Sequence, residues 1–193
     1  MYLFFDTSAN GKPKSYKASP NDPFNWPRMI HLSWLLYNED RELVASRNDI
    51  IKPVGFKVDE ASLKASKLTM EQLENGIDIK EALTAFADAI KKADYITTYN
   101  MNLQQGIVSA EFHRKSISHF LEQSDLYCLM QEATWFCKIP AKGGQKYKWP
   151  PLQEIHSKLY GAWYANAGDA ETDVATIALC TFNLVDIEAF EYF

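Results

Sequence analysis

The chain has 193 residues, 47% of them hydrophobic and 13% aromatic, enough apolar material for one sizeable core; a wholly disordered chain is excluded. Twenty basic residues against 25 acidic ones leave a net charge of −5, so attachment to nucleic acid by bulk basicity is excluded and any such contact has to be local. The longest apolar runs, Leu3–Phe5 and Trp34–Tyr37, fall far short of the ~20 residues that span a bilayer, and Met1–Asp6 lacks the basic leader of a signal peptide. The expectation is one domain over residues 1–193, cytoplasmic and away from membranes.

In chain order, residues 2–5 read as a short buried strand and residues 9–27, rich in Asn, Pro, Ser and Lys, as a loop. Residues 29–37 and 43–51 read as two more strands around the turn Asn38–Arg41, antiparallel partners for the first. Ile79, Leu83, Phe86 and Ile90 recur at helical spacing over 79–92. Tyr95–Tyr99 is a β-rich run, 102–121 a second helix, and Leu126–Leu129 a short strand. Residues 140–151 form a loop, and 152–160 and 170–190 are helical. Strands first, then helices alternating with strands, predict an α/β fold with a mixed sheet. Cys128, Cys137 and Cys180 are odd in number and lack CxxC spacing, which fits buried thiols in a reducing compartment.

Charge is unevenly spread. Residues 151–193 carry seven acids and only Lys158, whereas 138–148 carry Lys138, Lys142, Lys146 and Lys148 and no acid. Tyr147 and Trp149 sit among those lysines. Such interleaving suits phosphates and stacked bases; the plain alternative is a solvated loop pinned to the core by its tryptophan. Asp6 stands at the end of the first strand, and Asp169 and Asp173, four apart, share a helix face. Carboxylates so gathered suit a hard divalent cation, although helix caps and surface charges account for the same residues.

Five stretches resemble, in order, the DEDDh family of 3′–5′ exonucleases, the DnaQ-like group with an RNase H-like fold. Leu3-Phe4-Phe5-Asp6-Thr7-Ser8-Ala9-Asn10-Gly11 resembles its first motif, an apolar strand followed by D-T-E-T-T-G, and Trp26–Trp34 resembles its second strand. Tyr99-Asn100-Met101-Asn102-Leu103-Gln104 resembles H-N-x-x-F-D; Tyr147-Lys148-Trp149-Pro150 with Leu152, Ile155 and His156 resembles the stretch before the third motif. Ala167-Gly168-Asp169-Ala170-Glu171-Thr172-Asp173 resembles that motif, A-H-D-A-x-x-D. The resemblance implies a mixed sheet, antiparallel in its first three strands and then parallel, flanked by helices. It also implies a site at Asp6, Ser8, Gln104, Gly168 and Asp173.

Three of those five positions depart from the pattern. Ser8 stands for Glu, Gln104 for Asp and Gly168 for His. Two divalent ions held roughly 4 Å apart need a cage of carboxylates to offset their repulsion, and here the formal ligand charge falls from −4 to −2. The resemblance therefore implies at most one weakly held Mg²⁺ or Mn²⁺, at Asp6 and Asp173, or none. Loss of the histidine removes a general base worth ~10²–10⁴-fold in rate. A groove for single-stranded nucleic acid or frayed 3′ ends would be lined by Thr7, Ser66, Leu68, Tyr99 and Asn100, with Lys146, Lys148 and Trp149 assisting. Ser66–Thr69 resembles the family's H-G-I-T loop. The expected function is an inactive or strongly impaired exonuclease-family protein that binds such ends. The alternatives are an active enzyme with a remodelled site, or a protein-interaction module that reuses the fold. The sequence names no protein partner and no homodimer surface.

Overall fold

In the computed structural model, which describes residues 1–144 and 146–192, the described residues build one five-stranded mixed sheet with helices on both faces. The strands are β1 (Tyr2–Asn10), β2 (Arg28–Tyr37), β3 (Leu43–Ile50), β4 (Tyr95–Thr98) and β5 (Asp125–Cys128), in the order β3-β2-β1-β4-β5. β1 pairs antiparallel with β2, and β2 with β3; β4 runs parallel to β1 and to β5. This is the RNase H-like mixed sheet that the exonuclease resemblance implies.

The central strand explains the layering. Side chains alternate across a strand, so Leu3 and Phe5 enter one buried cluster and Phe4 the other. The first cluster lies under α3 (Ile79–Ile90) and α4 (Met101–Lys115), where Phe86 packs 5.2 Å from Phe5. The second lies under α8 (Ala170–Asp186), where Val174, Ile177 and Leu184 meet Phe4. Phe182 adds edge-to-face contacts at 5.1 Å with Phe4 and 5.2 Å with Tyr37. A strand buried on both faces has no polar alternation, which is why its sequence is a continuous apolar run.

The remaining helices are α1 (Glu60–Ser66), α2 (Met70–Glu74), α5 (Leu129–Glu132), α6 (Thr134–Cys137) and α7 (Leu152–Tyr160). Several sequence expectations need correction. β1 extends to Asn10, so the loop starts later, and Gly11 N–H donates to Ser62 Oγ at 2.9 Å. α4 stops at Lys115 because Ser116 turns left-handed (φ 52°) and donates back to Phe112 and His113. α8 ends at Asp186 rather than 190. Ser66–Thr69, read as a loop, is the junction of α1 and α2: Lys67 is a left-handed cap (φ 61°), and Thr69 with Gln72 forms a capping box.

The 11–27 loop is held by charge as well as apolar contact. Glu111 is fully buried on α4 and accepts from Arg28 (2.7 Å) and the Met29 N–H (3.1 Å), with Arg114 at 2.8 Å. Arg114 also donates to the carbonyls of Pro23 and Trp26. The Trp26 ring lies against Gly106, where a Cβ would come within 2.4 Å of it. No helix of the described residues is long and apolar enough to cross a membrane. Cys128, Cys137 and Cys180 are buried, unpaired thiols, as expected.

Candidate active site around Asp6 and Asp173

Asp6 falls on the α8 face of β1 because it alternates in phase with Phe4, and it is buried there. Asp173 reaches the same place from the first turn of α8. The fold thus brings together the two carboxylates that the sequence singled out. Burial pushes the Asp6 carboxyl well above the usual carboxylate range, and the negative charge of Asp173 adds to the effect. Asp173 is also raised by burial, and is held back by hydrogen bonds from Tyr164 and Gly168 and by the nearby charge of Lys67. A pair of buried carboxylates is unfavourable unless cations or hydrogen-bond donors face it.

Here the protein supplies the donors. Gln104, buried in the first turn of α4, accepts the Thr7 N–H (3.0 Å) and hydroxyl (2.5 Å) on Oε1. Its Nε2 then donates to Asp6 Oδ1 at 2.7 Å and lies 3.5 Å from the Thr7 carbonyl. The carboxamide is oriented by need: the Thr7 N–H requires an acceptor, so the NH₂ group is left to face Asp6. An aspartate at 104 offers acceptors only and would add a third negative charge. On Asp173, the Tyr164 hydroxyl donates to Oδ1 at 2.8 Å, and the Gly168 N–H approaches both oxygens at 3.2 and 3.0 Å.

Gly168 has φ +98°, and a Cβ there would sit 2.6 Å from the Ala65 carbonyl oxygen. The position where the exonuclease pattern carries histidine is thus shaped around the absence of a side chain. Asp169 caps α8, accepting from the Thr172 N–H (3.0 Å) and hydroxyl (2.8 Å), which is the capping role weighed for it in the sequence. Ser8 lies on the Asp6 face and pairs across the strands with His31. His31 is buried, and its Nε2 lies 2.6 Å from Asn48 Oδ1.

These residues do not fit a pair of divalent ions. Two carboxylates remain, and N–H or O–H donors occupy oxygens on both. Among the described residues no group of three or more His, Cys, Asp or Glu side chains converges as a metal site. Donor hydrogens pointed at the carboxylates offset part of their charge, while burial still leaves both carboxyls raised.

The expected groove residues are placed as follows. The Thr7 hydroxyl is held by Gln104. Asn100 caps α4, its Oδ1 3.4 Å from the Leu103 N–H. Ser66 is buried and bonds to the Leu63 carbonyl, and Leu68 is buried in a small cluster with Ile30 and Leu73. Tyr99 is half-buried; its hydroxyl donates to the Pro150 carbonyl at 2.9 Å, and its phenol is pushed up to about 12 by burial. Lys148 pairs with Glu154 at 3.2 Å. Trp149 is 56% exposed, so it does not pin its loop to the core. Sequence reasoning missed Tyr164, which lies outside the quoted motifs, and the Gly168 amide, a backbone group with no sequence signal.

The chain resembles solved exonucleases closely in fold and distantly in sequence. Against E. coli exonuclease I in complex with a dT13 oligonucleotide, the TM-score is 0.69 at 16% identity, covering 96% of this chain and 40% of that one. Against a 3′-exonuclease solved for its recognition of the histone mRNA stem-loop, it is 0.72 at 13% identity, covering 97% and 82%. Against the nuclease domain of 3′hExo, a DEDDh family member bound to rAMP, it is 0.66 at 12% identity, covering 97% and 92%. The chain thus spans about 40% of the length of the exonuclease I chains it matches. No protein-family model and no curated protein matches it by sequence. The fold is that of DEDDh 3′–5′ exonucleases.

Proposed function

We propose that this chain is a DnaQ-like protein, one exonuclease-like domain, that binds single-stranded nucleic acid at 3′ ends and has lost all or nearly all nuclease activity. The observation that carries the reading is the 2.7 Å hydrogen bond from Gln104 Nε2 to Asp6 Oδ1. A neutral amide takes the place of an anionic metal ligand and turns its donor toward the first carboxylate, so part of the pocket's charge is offset from within the chain. Mg²⁺ or Mn²⁺ at Asp6 and Asp173 would be single and weakly held, since Mg²⁺ gives up its water reluctantly. With fewer acids there is also less repulsion toward a phosphodiester.

Likeness to exonucleases solved with oligonucleotides supports the substrate class. Lys146, Lys148 and Trp149 belong to the loop whose Pro150 carbonyl accepts the Tyr99 hydroxyl, which supports their assisting role. The unpaired buried thiols support a reducing, cytoplasmic setting. The test is a 3′-labelled single-stranded oligonucleotide incubated with Mg²⁺ or Mn²⁺ and, separately, titrated by anisotropy. The expected result is binding that weakens steeply with salt and no mononucleotide release. Release that disappears in Asp6→Ala would show a working remodelled enzyme. No binding at low salt would leave the fold as a protein-interaction module.

A further inference from the structure

The segment after α6 leaves large aromatic surface open beside a lysine cluster. Ile139–Pro140 and Tyr147–Lys148 pair as the base of a short hairpin: Lys148 N–H donates to the Ile139 carbonyl at 2.9 Å, and Pro140 bridges Tyr147. At the foot of this hairpin Trp135 is 64% exposed. Its ring meets Tyr147 edge-on, 5.3 Å between centroids at 87°. The Lys146 ammonium lies 5.6 Å from the Trp135 centroid and 5.3 Å from that of Tyr147. Among the described residues Lys146 is in no ion pair, whereas Lys148 is neutralised by Glu154.

An exposed tryptophan forgoes the stabilisation of burying its ring, and a cation centred between two rings is held in place before any anion arrives. A nucleotide presents both complementary parts, a flat base for the open Trp135 face and a phosphate for the ammonium. The charge pattern agrees: residues 138–148 carry four lysines and no acid in a chain of net charge −5. The loop continues to Pro150, whose carbonyl accepts the hydroxyl of Tyr99 just after β4, one of the residues expected to line the groove. We infer that Trp135, Lys146 and Tyr147 form a second contact for single-stranded nucleic acid, outside the pocket, that holds a nucleotide upstream of the 3′ end. This rests on the 3′-end reading above, and it adds a base-stacking subsite.

The experiment compares Trp135→Ala and Lys146→Gln with the unsubstituted chain, using a short (about four-nucleotide) and a longer (about twelve-nucleotide) oligothymidylate. Stacking is worth ~1–3 kcal/mol per base, so Trp135→Ala should weaken the longer oligonucleotide about 5- to 150-fold. The short one, filling only the pocket, should bind unchanged, and the longer one should quench tryptophan fluorescence less in the variant. Trp135 is exposed, so its removal leaves the core intact; a matching melting temperature verifies this. Unchanged binding of the longer oligonucleotide by Trp135→Ala overturns the inference and leaves the pocket reading standing. Failure of the short oligonucleotide, with Trp135-dependent binding of the longer one, sinks the pocket reading and keeps the platform. Equal competition by polyglutamate would show a site for acidic protein and overturn the stacking claim.

Discussion

Replacing Gly168 by alanine, or by the histidine of the exonuclease pattern, should destabilise the protein instead of completing its site. The backbone there sits at φ +98°, a conformation L-residues rarely adopt, and the new Cβ would lie 2.6 Å from the Ala65 carbonyl oxygen. That oxygen belongs to the α1 backbone and cannot swing aside as a side-chain tip would. Holding a side-chain-bearing residue in such a region costs about 1–3 kcal/mol, and forcing an extra methyl into a filled space about 1–3 kcal/mol more. Relief by moving residue 168 would weaken its N–H bonds to Asp173. The expected loss is therefore about 2–6 kcal/mol, or roughly 4–24 °C in melting temperature for a chain of this size. Thermal unfolding followed by circular dichroism measures it. Gly161→Ala is the control: that glycine also has positive φ, at +74°, but nothing within 4 Å of its added Cβ, so it reports the backbone contribution alone. If Gly168→Ala melts no lower than Gly161→Ala, the steric account of the missing histidine is wrong.

The remaining predictions concern charge and packing. Asp6→Asn should stabilise the protein at neutral pH. Burial and the Asp173 charge raise the Asp6 carboxyl, so its favourable contribution is complete below its unfolded value and lost as pH rises through the raised one. The gain in urea midpoint should accordingly be larger near about pH 8 than near about pH 4; an equal gain at both would contradict it. Millimolar Mn²⁺ should leave the melting temperature of the unsubstituted chain unmoved, whereas Ser8→Glu with Gln104→Asp, which removes the donor facing Asp6, should gain a Mn²⁺-dependent rise. A rise in the unsubstituted chain, abolished by Asp6→Asn, would restore the metal reading. Glu111→Gln should cost about 3–5 kcal/mol, because it strands Arg28 and Arg114 beside a neutral group; a change below about 1 kcal/mol would show that water already screens the cluster.

How much was legible in the sequence depends on the kind of signal each residue leaves. The apolar run Leu3–Phe5 marks a strand covered on both faces, and the spacing of Ile79, Leu83, Phe86 and Ile90 marks α3, because hydrophobic period follows directly from strand and helix geometry. α1 and α2 were missed since each is a turn or two long and leaves one apolar turn at most, although Thr69 and Gln72 form a capping box visible in the letters. The end of α4 at Ser116 was missed because a left-handed cap at a serine has no residue signature. Trp149 was open to two readings until its exposure was seen, since a tryptophan in a lysine-rich loop carries the same letters whether it packs or stands in water.

Residue identities along the chain determined the mixed α/β architecture and which residues, Ser8, Gln104 and Gly168, stand beside the two carboxylates. They also determined that any attraction for polyanions has to be local in a chain of net charge −5, because period and charge are properties of the letters themselves. Tertiary structure alone decided what stands in the gaps: Gln104 stitched to Thr7 and turned toward Asp6, the Tyr164 hydroxyl and the Gly168 amide on Asp173, and an α1 carbonyl where a side chain at 168 would go. Those contacts join residues far apart in the chain, and their directions depend on hydrogen-bond demands that exist only once the sheet and helices have packed.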